Sequence, residues 1–339
     1  MKLHALTAMM FFAVLDGMAY FPSIPFPGPV GSTNTTAMHM STNAFSAWAS
    51  GYTNMVYGDG VGTTWKTPEK ALGMAVGDAF DIVSLGRSGH ITLAFPDGIS
   101  DGDGFDFAVF ENAIDDTFLE LAWVEVSSDG SHFVRFPNFS LTPNAVGPFD
   151  PVSTWAIYGY GGKYRQGYGT PFDLAELRSV HDEIMAGTDG FSSEYKSTFN
   201  AAYSTLDFSN IQYVRIVDIV GDGADYDSVG NPIYDPYETF DSVGFDLDAV
   251  GVIHEAVGMP VTMPLLNMVS VDAFITMEYA FDSMAFTNDV VEESINLSVW
   301  SNAVPEVIVL TTNGSILGKT IRFPIGPSNR FYRLRFEEL

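Results

Sequence analysis

The chain has 339 residues, of which 42 are Asp or Glu, 15 are Lys or Arg and none is Cys, and its formal net charge is −27. A field of this sign repels phosphate backbones, so nucleic acid is excluded as a partner. The lack of cysteine excludes disulfide bonds, thiolate zinc sites and cysteine nucleophiles. The hydrophobic fraction of 46% lies far from the disordered regime and suffices for one large or two ordinary domains.

The first predicted element is a secretory signal peptide over residues 1–19. Lys2 precedes an apolar run that extends to Leu15, and the small residues Gly17 and Ala19 follow at the spacing that signal peptidases prefer. The alternative for this run is a buried first helix. No other stretch reaches the roughly 18 apolar residues that a membrane span requires. We therefore expect a secreted or cell-surface protein without a membrane span.

Short strands dominate the central part of the chain. A Pro-rich and Ser/Thr-rich entry over residues 20–43 is predicted to be extended. From 44 to 254, alternating runs of β-branched and aromatic residues end in Gly, Asp or Pro, which is typical of antiparallel strands. A helix is predicted over 172–187, where Gly187 ends a run of helical periodicity, and a second short helix near 192–202.

The last part of the chain is predicted to be a separate small domain. Pro260 and Pro264 mark residues 255–266 as a linker. The tail over 267–339 again contains alternating apolar runs and is predicted to be a small β-sandwich, with sorting or cell attachment as a hypothesis for its role. The predicted fold class is all-β: a β-sandwich with a short helical insertion, followed by a small C-terminal β-sandwich domain.

Acidic residues are concentrated in two segments without a single base. Seven lie between Asp97 and Asp116, and nine lie between Asp218 and Asp248. Carboxylates this dense repel one another and raise one another's pKa unless a cation joins them. Calcium is the expected cation, because it accepts six to eight oxygens in flexible geometry. The alternative is that these Asp/Gly loops are turns with a solvated acidic surface.

The calcium ligands must come from separated loops, because no register matches the spacing of an EF-hand. Asp246 and Asp248 lie on one face of the strand FDLDAV, and acids inside a strand this apolar need a partner. Glu111 and Asp218 pose the same problem. The predicted metal ligands are Asp106, Glu111, Asp218, Asp222, Asp246 and Asp248.

A series of motifs between residues 69 and 253 carries a resemblance to known proteins. The motifs are EKALG, VSLGRSGHITLAF, DGDGFDFAVFENA, ELAWVEVSSDGSHFVRFP, GKYRQGYGTPFDLAEL, VRIVDIVGD and NPIYDPYETFDSVGFDLDAVGVI. In this order they resemble a family of uncharacterised exported bacterial cell-surface proteins. The VEVSSDG pattern is also similar to the galactose-binding-like, discoidin-type jelly roll. The resemblance implies a jelly-roll β-sandwich, an extracellular or surface location, a structural calcium ion and carbohydrate binding at loop tips.

An aromatic segment supplies a candidate ligand-binding face. Aromatic faces beside amide and guanidinium donors suit the C–H face and the hydroxyl groups of a sugar ring. The alternative is that these rings are wedged into the edge of the sandwich. The candidate ligand-binding residues are Trp155, Tyr158, Tyr160, Tyr164, Arg165 and Tyr168.

Catalytic motifs are not found in the sequence. There is no GxSxG, no HExxH and no glycine-rich phosphate loop that opens a helix, so no catalytic residue is assigned. We expect a calcium-stabilised, non-catalytic binding or adhesion protein directed at carbohydrate, for which self-association is possible. Two alternatives stay open: a polysaccharide-active glycosidase or lyase, and a structural subunit of a surface or matrix assembly.

Overall fold

A computed structural model describes residues 22–256 in full and, in the tail, the backbone of the strands between 267 and 338. The chain divides into two compact units, Met1–Val257 and Gly258–Leu339. The predicted signal peptide over residues 1–19 lies outside the described residues, as does the predicted linker over 255–266 apart from its first two residues. Within the described part, no helix is both long enough and apolar enough to cross a bilayer.

The first unit is built mainly of short antiparallel strands. They are β1 (Met38–His39), β2 (Ala47–Trp48), β3 (Gly51–Val56), β4 (Val83–Ser84), β5 (His90–Ile99), β6 (Phe107–Glu111), β7 (Ala122–Ser127), β8 (Val134–Arg135), β9 (Phe139–Ser140), β10 (Ile157–Tyr158), β11 (Tyr168–Phe172), β12 (Ile211–Asp218), β13 (Asp222–Tyr226), β14 (Pro232–Tyr234) and β15 (Asp246–Val252). The prediction of a mostly β fold with antiparallel sheets is confirmed.

Two larger sheets organise these strands. Sheet 1 has the order β1-β11-β6-β15-β2, with β4 also paired to β15, and sheet 2 has the order β3-β5-β12-β7-β8. Two small ladders, β9 with β10 and β13 with β14, lie apart from them. In both large sheets every pairing is antiparallel.

Alternation along the strands of sheet 2 separates an apolar face from a polar one. In β12, Val214 and Ile216 are fully buried, whereas Arg215 between them is partly exposed. Val214 pairs with Leu93 on one side and Val126 on the other, so three strands contribute to one apolar face. The opposite face of the same strands carries the charged side chains, because successive side chains point to opposite sides of a sheet.

The apolar faces of the two sheets share one core. Phe107, Val109 and Val250 of sheet 1 belong to the same buried cluster as Leu93 and Val214 of sheet 2. Each fully buried side chain of this size contributes about 1.5–3 kcal/mol relative to an exposed one. The sheets therefore pack face to face as the two layers of a sandwich.

Two helices follow β11, in the segments where they were predicted. Helix α1 is Ala175–Ala186 and helix α2 is Ser193–Tyr203. Gly187 ends α1 in the left-handed conformation with φ of 68°, which glycine adopts without steric cost. The Ser192 side chain accepts the Tyr195 backbone N–H at 3.2 Å and caps α2. Both helices bury one apolar face, which extends the core of the sandwich.

The second unit also consists of antiparallel strands. They are β16 (Asn267–Val271), β17 (Phe274–Asp282), β18 (Phe286–Ser294), β19 (Ser301–Asn302), β20 (Glu306–Asn313), β21 (Ile316–Pro324) and β22 (Phe331–Glu338). They form a four-stranded sheet, β16-β17-β21-β20, and a three-stranded sheet, β19-β18-β22.

The shared core yields a stability prediction at Phe107. Its ring is fully buried and stacks on Phe172, with ring centres 5.3 Å apart. Phe107→Ala leaves a cavity between the sheets and is expected to lower the free energy of unfolding by about 3–5 kcal/mol. Ile114→Ala, at a side chain 72% exposed, should change it by less than about 0.5 kcal/mol. Denaturant unfolding measures both, and equal losses in the two variants would contradict the shared core.

Candidate functional site

Most of the acids predicted as metal ligands are buried, and backbone N–H groups meet several of them. Asp218, at the end of β12, accepts hydrogen bonds from the Phe245 N–H at 2.6 Å and the Ser88 N–H at 2.9 Å. Burial nevertheless raises the pKa of Asp218 to about 8. Asp248 accepts from the N–H groups of Val76 at 3.0 Å and Gly77 at 2.9 Å, and burial raises its pKa as well. Both carboxylates therefore fasten a loop to a strand end.

Three further carboxylates are also buried, and none of them belongs to an ion pair among the described residues. We call Glu111, Glu120 and Asp246 the buried carboxylate group. Glu111 ends β6 and Asp246 begins β15, and these strands pair, with Leu247 opposite Glu111. The pairing of β15 with β4 places Ser84 opposite Asp246, and its hydroxyl donates to that carboxylate.

Hydrogen-bond donors reach all three carboxylates, including the backbone of Asn112 at Glu111 and the side chain of Ser242 at Asp246. Glu111 accepts the Ala113 N–H at 2.7 Å, and Glu120 accepts the Thr239 hydroxyl at 3.0 Å. The Asn112 amide donates to Asp246 at 3.3 Å. Within the described part of the chain, none of the three carboxylates forms a salt bridge.

Charge within this group raises the pKa of its two glutamates. Burial is the largest cause for each, and it raises the pKa of Asp246 to about 6. For Glu111 and Glu120 burial raises the pKa well above the ordinary range, and the charge of Asp246 is the next cause for both. Protons or a cation must therefore neutralise part of this group at neutral pH.

The other two predicted metal ligands lie elsewhere. Asp106 accepts hydrogen bonds from the N–H groups of Gly102 at 2.8 Å and Leu174 at 2.6 Å, so it fixes the start of α1. Its carboxylate oxygen lies within 4.8 Å of oxygens of Asp101 and Asp173, a second cluster of acids. Asp222 is exposed and closes a local turn through the Ala224 N–H at 2.8 Å.

The six predicted ligands are thus distributed over several places. Glu111 and Asp246 meet at the buried carboxylate group, where the sequence analysis missed Glu120. A signal for Glu120 was present, because it is an acid immediately before the apolar strand β7. Asp235, which accepts the Leu121 N–H at 2.7 Å, was also missed, although it lies in the second acidic segment.

The aromatic segment that was predicted to bind ligand is largely internal. Tyr160 and Tyr164 are 0% and 1% exposed, so their rings offer no face to a ligand. Tyr158 is half-buried and donates its hydroxyl to Glu176 at 2.6 Å. The Tyr164 hydroxyl accepts the Thr36 N–H at 3.2 Å, which ties the N-terminal entry to the sandwich. The glycines between these tyrosines turn the chain, and the large rings pack inward.

The remaining three residues of that set lie nearer the surface, and the Arg165 guanidinium lies over the Tyr168 ring, 5.3 Å from its centre. Trp155 is 39% exposed. Arg165 forms an ion pair with Asp116 at 2.6 Å. Tyr168 packs edge-on against the ring of His39, with centres 4.8 Å apart. Only Trp155 presents a substantial aromatic surface to solvent.

A cavity lies on the polar side of sheet 2. We call it the outer-face pocket, and its volume is about 570 Å³, within the usual range of ligand sites. Its floor comes from β7, β8 and β12, and its walls come from α2, the loop over 131–133 and β13. The lining residues include Trp123, Glu125, Phe133, Arg135, Asn138, Glu194, Arg215, Asp225, Tyr226 and Asp227.

Two arginines and one glutamate form a ladder across the pocket floor. The strand register places Glu125 opposite both Arg215 and Arg135. Arg135 donates its Nε at 2.9 Å and its Nη2 at 2.8 Å to Glu125 Oε1. Arg215 donates its Nε at 2.6 Å and its Nη2 at 2.5 Å to Glu125 Oε2. Each carboxylate oxygen is therefore used by one guanidinium edge.

Aromatic rings support both guanidinium groups. Arg135 lies over the Trp123 ring at 3.8 Å, and Arg215 lies over the Phe133 ring at 3.9 Å. Such stacking, together with the paired hydrogen bonds, holds each planar group in one orientation. The ladder is thus a rigid floor on which further N–H donors of the two guanidinium groups are fixed in position.

Asn138 is almost fully buried beside the pocket. Its side chain is 1% exposed, and its Nδ2 donates to the Phe136 carbonyl at 3.0 Å. This bond fixes the residue at the edge of the pocket floor.

The sequence analysis did not predict this pocket. The usable signal was the placement of Glu125 and Arg215 between apolar neighbours in VEV and VRI, which puts both charges on the outward face of their strands. No protein-family model, no curated protein and no solved structure matches the chain. The resemblance to discoidin-type surface proteins stays a prediction.

The buried carboxyls give a pH dependence of stability. Asp246 and Asp218 have pKa values of about 6 and 8, above the roughly 4 of an unfolded carboxyl. Their contribution to stability is complete below the unfolded pKa and is lost as pH rises through 6 and 8. In the presence of chelator, we expect the melting temperature to fall steadily from pH 5 to pH 8.5.

A variant without one buried carboxylate separates the pH effect of the buried carboxyls from repulsion among all the acidic residues. Glu111→Gln should flatten the slope, whereas Asp182→Asn, at a side chain 86% exposed, should leave it nearly unchanged. Thermal melts of the three proteins across the pH range measure the slopes. A melting temperature that rises with pH in chelator would show that the buried carboxyls are not strained when ionised.

Proposed function

We propose that the protein is an exported, non-catalytic binding protein whose ligand is carbohydrate. The observation that carries the proposal is the outer-face pocket, which combines fixed N–H donors, carboxylate acceptors and aromatic surface in one cavity. Sugars need this combination, because each ring offers hydroxyl groups at its rim and C–H bonds on its face. The resemblance to exported surface proteins supports secretion or surface display.

The pocket replaces the aromatic segment as the favoured binding face. Tyr226 at its rim is 56% exposed, so its ring can stack on a sugar, whereas Tyr160 and Tyr164 are internal. The packing of two antiparallel sheets over one core supports a further proposal, that the sandwich is a jelly roll of the discoidin type.

Calcium is the proposed structural ion of the sandwich. The buried carboxylate group supports this proposal, because the charge of Asp246 raises the pKa of both Glu111 and Glu120, and none of the three has a basic partner among the described residues. A divalent cation would remove their mutual repulsion, and oxygen is the ligand that calcium prefers.

Binding is tested with a polysaccharide panel and matched tyrosine variants. We expect the full chain to bind at least one polysaccharide and to release no new reducing ends from it. Tyr226→Ala should weaken binding about tenfold, which corresponds to the loss of one stacking contact. Tyr52→Ala, at a side chain 41% exposed on β3 and outside the pocket, should leave binding unchanged.

Two results would overturn the binding proposal. Failure of the whole panel to bind would remove carbohydrate as the ligand. Weakening by Trp155→Ala but not by Tyr226→Ala would move the site back to the aromatic segment. Isothermal titration and affinity electrophoresis give the affinities in both cases.

Calcium is tested by melting the protein with chelator and with added ion at pH 8. Calcium is expected to raise the melting temperature by several degrees and to remove the loss of stability between pH 5 and pH 8.5. Asp246→Asn should abolish most of that gain, whereas Asp222→Asn, at an exposed acid outside the group, should retain it. No calcium in the purified protein and no shift on its addition would contradict the proposal.

A further inference from the structure

From the charge and the hydrogen bonding of the outer-face pocket, we propose that it selects a neutral, hydroxyl-rich glycan and rejects acidic sugars, and that the Arg135–Glu125–Arg215 ladder is the specificity device. This inference rests on the proposed function and names its ligand class. The pocket contains two arginines, and arginine in a pocket ordinarily indicates an acidic ligand. Neither guanidinium group, however, is free to bind an acid in the usual way.

The geometry of the two guanidinium groups disfavours an acidic ligand. Arginine binds a carboxylate most strongly through two parallel N–H bonds from one edge. In both Arg135 and Arg215 the Nε–Nη2 edge already binds Glu125, at distances between 2.5 and 2.9 Å. The rings of Trp123 and Phe133 fix the plane of each group. The remaining N–H groups suit hydroxyl oxygens, and an acid that reached them would meet guanidinium charges already paired with Glu125.

The charge of the pocket lining also disfavours an acidic ligand. Four carboxylates line the pocket, against the two guanidinium groups, so with His132 neutral its formal charge is −2. The whole chain adds a field of −27. An acidic sugar would therefore enter against repulsion without gaining the Nε–Nη2 contact that Glu125 already occupies, whereas a neutral sugar meets no such cost.

The pocket wall also favours a ligand that donates hydrogen bonds. The wall carries carboxylates outside the ladder, among them Glu194 and Asp225, whose oxygens accept O–H or N–H groups. An ionised carboxylate has no donor to offer, whereas every sugar hydroxyl has one. Donors, acceptors and charge thus favour the same ligand class.

The wild-type protein tests this selectivity with matched oligosaccharides. The probes are three pairs that share ring stereochemistry: oligomers of galactose and galacturonate, of mannose and mannuronate, and of glucose and glucuronate. We expect at least one neutral member to bind, each acidic member to bind more weakly than its partner, and neutral binding to be insensitive to salt. Titrations with and without calcium remove the effect of calcium chelation by the uronates.

Removing the glutamate charge should change the selectivity. Glu125→Gln leaves the shape of the floor but frees a guanidinium edge, so binding of an acidic oligomer should rise at least about fivefold and weaken with salt. Glu194→Gln is the matched control, because it changes the pocket charge by the same amount at an exposed residue outside the ladder. It should leave the preference for neutral sugars in place. Circular dichroism and thermal melts verify that both variants fold.

The outcomes separate the inference from the proposed function. Tighter binding of acidic members by the wild-type protein would overturn the inference and leave carbohydrate binding in place. Equal gains in the two glutamate variants would show that overall charge, and not the ladder, sets the selectivity, which also overturns it. Binding of neither member of any pair would remove the proposed function and the inference together. If Glu125→Gln fails to fold, the wild-type comparison alone decides.

Discussion

Each buried carboxylate of the sandwich must be met by hydrogen-bond donors or by a cation, and this constraint shapes the loops around the core. Asp218 accepts N–H groups from two loops, Asp248 fixes the turn at 76–77, and Asp106 fixes the start of the helical insertion. These acids therefore connect distant parts of a chain that has no disulfide bonds. Each connection removes a charge from water and is stable only because backbone N–H groups replace the lost hydration.

The same constraint explains why two parts of the molecule are expected to bind something. At the buried carboxylate group, burial raises the pKa values of Glu111, Glu120 and Asp246, the charge of Asp246 raises those of the two glutamates further, and a calcium ion is the proposed remedy. On the outer face of sheet 2, Glu125 is also buried, but two guanidinium groups satisfy it completely. That satisfied ladder leaves a rigid pocket floor of low net charge, which is why a neutral sugar is the inferred ligand.

Strands and helix ends were predicted correctly from local patterns, because they depend on residues that are close in the sequence. Alternation around Val214 and Ile216 gave the strands, and Gly187 gave the end of α1, because both signals act within a few residues. Burial of the tyrosine rings was not predictable, since glycine turns permit a ring to point inward or outward and long-range packing decides which. The pocket was missed for a similar reason, because the partners of Glu125 lie 10 and 90 residues away and only the strand register brings them together.

The central claim is that several Asp and Glu carboxyls are destabilised in their ionised form inside the folded protein. Carbon-detected NMR titration of side-chain carboxyls, in chelator and with Asp218→Asn and Asp246→Asn for assignment, measures their pKa values one by one. We predict that Asp246 titrates near 6 and Asp218 near 8, and that calcium abolishes the titration of Asp246 in this range. Titration of every Asp and Glu carboxyl below about 5 in the calcium-free protein would contradict the account, because ordinary values mean unstrained carboxyls.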